Sequence, residues 1–166
     1  MNSRRNPFRP VRHHQQMTAV HDDSYRRNEK PPEPTSCPEC GAAYLQGRWT
    51  WTAPPDDAHI ELCPACQRIH DDLPAGYVTL KGDFVRAHRD EVLAVVHACA
   101  TREKPEHPLQ RIMGIADVAA GVEVATTDAH LARGIAGALQ GAFKGRVSIR
   151  FAKEENFLRA TWERAK

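Results

Sequence analysis

Cys37-Pro38-Glu39-Cys40 and Cys63-Pro64-Ala65-Cys66 are two Cys-Pro-x-Cys knuckles separated by 22 residues. The spacing inside each knuckle lets two sulfurs reach one ion while nearby backbone amides point towards them. Four thiolates complete a tetrahedral shell and leave no open position for water or substrate, which favours structural over catalytic zinc. The pattern therefore predicts one structural zinc ion bound by Cys37, Cys40, Cys63 and Cys66; iron in a similar shell and a redox dithiol are the alternatives.

Two histidines are alternative metal ligands, because His59 and His70 each lie four residues from a cysteine of the second knuckle. The intact Cys-x-x-Cys pair makes such a replacement unnecessary. We interpret both as surface histidines.

The composition is that of an ordinary globular protein, with 41% apolar and 27% charged residues in 166. No apolar run approaches the roughly 18 to 20 residues of a membrane-spanning helix, and the first residues do not resemble a signal peptide. Four of the five cysteines lie in knuckles, and thiolates kept free for metal indicate a reducing compartment. We expect a cytoplasmic protein that does not enter a membrane.

Charge is segregated along the chain. Residues 1–30 carry seven basic and three acidic residues, residues 31–143 carry nine and fifteen, and residues 144–166 carry seven and three. Two basic ends that flank an acidic middle suggest that the ends contact phosphates. Tails that only increase solubility are the alternative interpretation.

Three segments follow from the distribution of prolines, cysteines and apolar residues: a basic arm over 1–33, a zinc ribbon over 34–76 and an α+β domain over 80–166. The arm has almost no periodic apolar residues, so we expect it to be disordered when free. The ribbon is predicted to contain a hairpin over 41–52 that turns near Gln46-Gly47, a strand over 58–62 and a helical turn from Cys66. Tyr44, Trp49 and Trp51 are interpreted as its core rather than as a base-stacking surface.

The α+β domain is predicted to begin with a helix over 82–103. Its apolar face contains Val85, Val92, Val96 and Cys99. Strands follow over 111–116 and 122–126, then a helix capped by the hydroxyls of Thr126-Thr127, then strands over 146–152 and 157–162. The order is α-β-β-α-β-β, which predicts two helices on one face of a mostly antiparallel four-stranded sheet.

Enzyme signatures are missing from the sequence, which contains no phosphate-binding loop, no Gly-x-Ser-x-Gly elbow and no His-Glu-x-x-His pair. Cys99 lies on an apolar helix face, where a thiol acts as a small core group. His130 lies in the first turn of the capped helix beside Thr126 and Thr127, and His107 lies at the junction of helix and sheet. All four are predicted to be either phosphate-binding or structural. We expect no enzymatic activity and no small-molecule substrate.

Candidate nucleic-acid contacts are the basic residues of the two ends, of the predicted hairpin tip, of the second knuckle and of the capped helix. They are Arg4, Arg5, Arg9, Arg12, Arg26, Arg27, Arg48, Arg68, Arg133, Lys144, Arg146 and Arg150. Arginine and lysine at such positions favour contact with phosphate.

Several strings in residues 33–166 carry a resemblance to a known family. They are Glu-Pro-Thr-x-Cys-Pro-x-Cys-Gly, Gly-Arg-Trp-x-Trp, Cys-Pro-Ala-Cys-x-Arg-Ile, Pro-Ala-Gly, His-Pro-Leu-x-Arg-Ile and Thr-Thr-Asp-x-His-Leu-Ala-Arg. With these strings the chain resembles a bacterial family of short zinc-ribbon proteins. That family is distantly similar to the amino-terminal region of the nonsense-mediated-decay-three proteins, which are zinc-bearing adaptors of the large ribosomal subunit. The resemblance implies metal binding by the four knuckle cysteines and implies nothing catalytic. The archaeal and eukaryotic adaptors carry more metal-binding cysteines and further domains, so only the ribosome-facing part of their role is carried over.

Taken together, the sequence predicts a non-enzymatic zinc protein that associates with the ribosome or with structured RNA, in subunit maturation, stress or idle-ribosome protection. The alternatives are a protein-interaction adaptor that binds no nucleic acid and a small redox or enzyme domain.

Overall fold

The computed structural model describes residues 30–166. The predicted arm over 1–33 lies outside the described residues apart from its last four positions. Arg4, Arg5, Arg9, Arg12, Arg26 and Arg27 lie outside them as well. Within 30–166, no helix is both long enough and apolar enough to cross a bilayer.

The first part of the described chain is a small four-stranded sheet followed by a helix. Its elements are β1 (Thr35–Ser36), β2 (Ala43–Leu45), β3 (Arg48–Thr50), β4 (His59–Ile60) and α1 (Pro64–Asp71). The strand order is β3-β2-β1-β4. The predicted hairpin is confirmed, since β2 and β3 are antiparallel and both turn residues, Gln46 and Gly47, have positive φ. The predicted strand over 58–62 is also present, as the two-residue β4.

Tyr44 and Trp49 pack as the sequence predicts, whereas Trp51 lies outside the core of the ribbon and contacts the second part of the chain. The Tyr44 and Trp49 rings lie 5.5 Å apart in a tilted arrangement, Tyr44 is buried, and Trp49 also packs against the knuckle cysteines. The indole Nε1 of Trp51 donates to the carbonyl of Lys104, at a distance of 2.6 Å. The hairpin is therefore bound both to its own core and to the second part of the chain.

The second part of the chain is a five-stranded mixed sheet with helices on one face. The strands are β5 (Gly76–Lys81), β6 (Ile112–Val118), β7 (Gly121–Thr126), β8 (Arg146–Ala152) and β9 (Phe157–Glu163), in the order β6-β7-β5-β9-β8. The central pair β5 and β9 is parallel, and the other pairs are antiparallel. The helices are α2 (Asp83–Ala87), α3 (Arg89–Glu103) and α4 (Ala129–Phe143).

The main core lies between this sheet and its helices. The predicted helix face is confirmed, because Val85, Val92, Val96 and Cys99 are all buried. They meet alternate residues of the strands, including Val78, Leu80, Val124 and Trp162, in one apolar cluster. Residues of the opposite parity on each strand lie on the face away from α2–α4, which we call the distal face.

The prediction of a four-stranded sheet is wrong. The sheet has five strands, and the prediction did not include the central one, β5. Gly76–Lys81 follows a Pro-Ala-Gly break and directly precedes a helix, which is typical of a connection. Tyr77, Val78, Thr79 and Leu80 nevertheless favour a strand, and a strand paired on both sides is the best-buried position in a sheet. The order is therefore β-α-α-β-β-α-β-β, with the two helices α2 and α3 after β5 replacing the single predicted one.

Two helix boundaries also differ from the predictions. The helix predicted over 82–103 is interrupted at His88, where φ is −126° and ψ is 34°, and so forms α2 and α3. The cap of α4 is the carboxylate of Asp128, which accepts hydrogen bonds from the backbone amides of His130 and Leu131 at 2.7 and 3.2 Å. The hydroxyls of Thr126 and Thr127 bind other backbone groups, because both side chains are buried before the helix begins.

We expect Leu80→Ala to lower the free energy of unfolding by about 2 to 5 kcal/mol, because it leaves a cavity in the centre of the main core. The measurement is urea denaturation of the zinc-loaded protein. Ile60→Ala, at a side chain 66% exposed, is the control and should change the value by no more than about 0.5 kcal/mol. Equal effects of the two substitutions would contradict the central position of β5.

Candidate metal centre

The first knuckle lies in the turn between β1 and β2. The amide of Cys37 donates to the carbonyl of Ala42 at 2.8 Å, and the amide of Gly41 donates to the carbonyl of Cys37 at 3.0 Å. Gly41 has a φ of +79°, which a glycine adopts without steric cost. This turn allows the amide of Ala42 to donate to the Sγ of Cys40 at 3.5 Å.

The second knuckle lies at the start of α1. Cys63 is the N-cap residue, and its Sγ accepts a hydrogen bond from the amide of Cys66 at 3.4 Å. Pro64 occupies the first helical position, where its missing N–H has no partner to lose. The sequence predicts a helical turn that begins at Cys66. The helix instead starts at Pro64, because Cys63, the first cysteine of the knuckle, also caps it.

Folding brings the two knuckles together, so that the four Sγ atoms of Cys37, Cys40, Cys63 and Cys66 all lie within 4.8 Å of one another. The Sγ atoms of Cys40 and Cys63, one from each knuckle, are 3.8 Å apart. A tetrahedral site with Zn–S bonds of about 2.3 Å has sulfur–sulfur edges of about 3.8 Å. The donor set and the spacing therefore fit one tetrahedral ion, and a shell of four thiolates is typical of structural zinc. Zinc bound there would crosslink the loop after β1 to the start of α1.

Arg111 contacts the cysteine cluster from the second part of the chain. Its Nη1 donates to the Sγ of Cys66 at 3.2 Å, and its Nη2 donates to the Sγ of Cys63 at 3.3 Å. A planar guanidinium is suited to such a two-point contact, and its charge partly offsets that of the thiolates. Arg111 is thus both a charge partner of the centre and its connection to the large sheet.

Backbone groups hold Arg111 in this position. Its Nε donates to the carbonyl of Pro108 at 3.0 Å, and its amide donates to the Oγ1 of Thr127 at 2.9 Å. The hydroxyl of Thr127 in turn donates to the carbonyl of Leu109 at 2.6 Å, and Leu109 packs against the cysteines. Thr127 therefore fixes the segment that carries Arg111.

Burial and hydrogen bonding separate the pKa values of the thiols when no metal is bound. Burial would raise the pKa of Cys37, but hydrogen bonds from the backbone amides of Cys63, Cys40 and Glu39 lower it to about 7. Burial and the neighbouring thiolates raise the pKa of Cys63 far above its usual value. Burial also raises the pKa of Cys66, although Arg111 acts in the opposite direction. The raised pKa values keep the thiols of Cys63 and Cys66 protonated at neutral pH without metal, so zinc binding at this site would displace protons.

Two of the predicted histidines, His107 and His130, line one pocket beside α4, which none of His59, His70, Thr126 and Thr127 lines. His59 and His70 are exposed and lie outside the four-cysteine group, and His70 forms a 2.6 Å contact with Glu39. His107 and His130 are also exposed, His107 near Glu103 and His130 near Asp128. The hydroxyl of Thr126 donates to the carbonyl of Asp128 at 2.7 Å. The structure does not bring these residues into one group with the cysteines.

The candidate basic contacts that lie among the described residues are mostly exposed. Arg48 lies at the hairpin tip, Arg133 on α4 and Lys144 directly after it. Arg146 and Arg150 lie on β8, and Arg146 forms a 3.2 Å ion pair with Glu163. Arg68 differs from the rest because it is only 8% exposed and its Nη1 donates to the carbonyl of Leu73. A buried arginine bound to the backbone is not a surface contact, so we exclude Arg68 from the interface proposed below.

Sequence reasoning did not identify three residues of the distal face near Arg150. Arg159 is the direct cross-strand neighbour of both Arg150 and Tyr77. Its guanidinium lies 5.4 Å from the centroid of the Tyr77 ring and 5.0 Å from that of Phe157. The alternation of Phe157, Arg159 and Thr161 along β9 is visible in the sequence. Their neighbours on β5 could not be predicted, because that strand was not assigned.

No protein-family model, curated protein or solved structure matches this chain. The resemblance to zinc-ribbon adaptors of the ribosome therefore stays a prediction.

We expect the purified protein to contain about one zinc per chain and Cys63→Ser to contain little metal, because a buried ligand is removed. Elemental analysis measures both. Cys99→Ser is the control, since Cys99 is buried in the main core and should leave the zinc content unchanged. Iron with visible absorption, or a folded protein without metal, would contradict a structural zinc site.

Arg111→Gln should weaken zinc affinity about 10- to 100-fold, because groups that hydrogen-bond metal ligands have effects of this size. The zinc affinity of Arg111→Lys should lie between those of Arg111→Gln and the native protein, because an ammonium group keeps the charge but not the two-point geometry. Competition with a chromogenic chelator gives the affinities. Arg102→Gln, at an exposed position on α3, is the matched control. Identical zinc affinity of Arg111→Gln and the native protein would refute the role given to Arg111.

Proposed function

We propose that this chain is a non-enzymatic zinc-binding protein that binds RNA, with the ribosome as the expected particle. Subunit maturation, stress and idle-ribosome protection are the expected contexts. The zinc centre is assigned a structural role because four thiolates fill a tetrahedral shell and Arg111 contacts two of them.

The pairing of Arg150 with Arg159 is the observation that carries the RNA proposal. These two arginines are directly opposite each other on β8 and β9, and both are exposed. Like charges in direct cross-strand positions destabilise a sheet. Within residues 30–166 neither arginine forms an ion pair with a carboxylate, in contrast to Arg146 with Glu163. A bound phosphate backbone would remove this repulsion, which is a reason for the two charges to be placed together.

The surroundings of Arg159 also favour a nucleic acid over a simple anion. Tyr77 and Phe157 lie 5.5 Å apart and hold the guanidinium against their rings. A guanidinium fixed on aromatic rings is presented at low entropic cost and keeps its outer donors for phosphate. The basic residues of the predicted arm would add further phosphate contacts, and their counterion release would increase the salt dependence of binding.

We expect the double substitution Arg150→Ala/Arg159→Ala to weaken binding to ribosomal RNA and to reduce the salt slope of log K by about two, because each arginine neutralises about one phosphate. The measurement is an electrophoretic or fluorescence titration of the zinc-loaded full chain at several salt concentrations. The matched control is Arg86→Ala/Arg102→Ala, which removes two exposed arginines from the helical side.

Sedimentation through a sucrose gradient tests the cellular particle. The native protein should travel with a ribosomal subunit at low salt and remain at the top of the gradient at high salt. Binding that does not depend on salt, or a protein that never travels with ribosomes and binds no RNA, would refute the proposal and favour an adaptor for proteins.

A further inference from the structure

β8 forms one edge of the five-stranded sheet, and among the described residues its outer side has no partner strand. All of its residues except Val147 are exposed. Ile149 and Phe151 are 37% and 47% exposed, although they lie on the same sheet face as α4, opposite the buried Ala160 and Leu158 of β9. This edge therefore presents both unpaired backbone groups and apolar side chains, which is the combination that favours pairing with another strand.

The other edge of the sheet is protected, whereas β8 is not. β6 has a register shift between Ile112 and Gly114, and Asp117 places a carboxylate on the helical side of the sheet, where Arg89 binds it at 3.1 Å. Bulges and charges on the core side are devices that prevent edge pairing. The ladder of β8 with β9 is regular, and its side chains on the helical side are Val147, Ile149 and Phe151.

We propose that β8 pairs antiparallel with β8 of a second copy of this chain, centred on Ile149, to form a ten-stranded sheet across a twofold axis. In this register Ile149 meets the partner's Ile149, and Val147 meets the partner's Phe151. All three pairs on the helical side are then apolar, which is the favourable cross-strand combination. A symmetric pair uses the same patch on both copies and is closed.

Charge repulsion disfavours the registers centred on the residues next to Ile149. Centring the pair on Ser148 would place Arg146 opposite the partner's Arg150, and centring it on Arg150 would place two copies of that arginine opposite each other. Both arrangements carry the cost of directly opposed like charges. With Ile149 at the centre, Arg150 is opposite the partner's Ser148, and Arg146 is opposite the partner's Ala152.

Charge also selects the antiparallel direction. The amino end of β8 carries the exposed Lys144 and Arg146, and its carboxyl end leads into a turn with the exposed Lys153, Glu154 and Glu155, whose net charge is negative. Antiparallel pairing brings the basic end of each copy to the acidic end of the other. Parallel pairing would place like ends together. The charge pattern is therefore self-complementary only in the antiparallel direction.

Sedimentation velocity of the zinc-loaded full chain tests the proposal. A seven-residue strand spans about 24 Å, so an edge-to-edge contact of one sheet thickness buries less than the roughly 1,000 Å² of stable complexes, and the association is weak. We expect a reversible dimer whose population rises between about 1 and 300 µM. Ile149→Lys should abolish it by adding a charge on the core side of the edge. Ile60→Lys makes the same change at another exposed isoleucine and should leave the dimer intact.

Cysteine crosslinking tests the register. Ile149→Cys should form a disulfide-linked dimer under mild oxidation, because only the central residue is opposite its own copy. Ser148→Cys alone should not crosslink, but a mixture of the Ser148→Cys and Arg150→Cys proteins should. A native protein that stays monomeric over the whole concentration range would overturn the proposal. So would equal dissociation by the two lysine variants, or crosslinking of Ser148→Cys as rapid as that of Ile149→Cys.

Discussion

The concentration of negative charge at four clustered thiolates is the constraint on which the rest of this structure depends. Cys37 and Cys40 come from a turn between strands, whereas Cys63 and Cys66 come from a helix start, and nothing in the backbone alone would hold four ionised sulfurs so close together. A bound divalent ion would offset half of their charge, and Arg111 offsets part of the remainder. A metal ion at this site would thus stabilise a sheet whose strands have only two or three residues each.

Arg111 also explains why the small sheet has a defined position on the large one. Its main chain is bound to Thr127 at the end of β7, and its side chain is bound to the second knuckle. The indole of Trp51 makes a further connection to the carbonyl of Lys104 after α3. The contact of Arg111 with the second knuckle and the contact of Trp51 with Lys104 together limit rotation of the small sheet more than a single apolar contact would. Loss of the metal would therefore affect the attachment of the small sheet as well as its own fold.

Much of the fold could be predicted from local pattern. The knuckles, the hairpin turn at Gln46-Gly47 and the helix face of Val92, Val96 and Cys99 are all set by residues close together in the chain. The central strand β5 was missed because its partners on both sides are distant in the chain. Its partner residues lie 40 to 50 residues later on β7 and 82 residues later on β9. The role of Arg111 was missed for the same reason, since 45 residues separate it from Cys66. No local pattern in the sequence reports such a contact.

Both proposals involve the strand β8, and they use side chains on its two opposite faces. Val147, Ile149 and Phe151 lie on the helical side, where a second copy would cover them, and Arg150 lies on the distal face, where RNA would bind. In the register centred on Ile149, the two copies of Arg150 are diagonal neighbours, about 7 to 8 Å apart, and repel each other. A phosphate backbone that lies across both distal faces would remove that repulsion. Because a ligand stabilises the state that binds it better, RNA binding and pairing through β8 would then strengthen each other by the same factor.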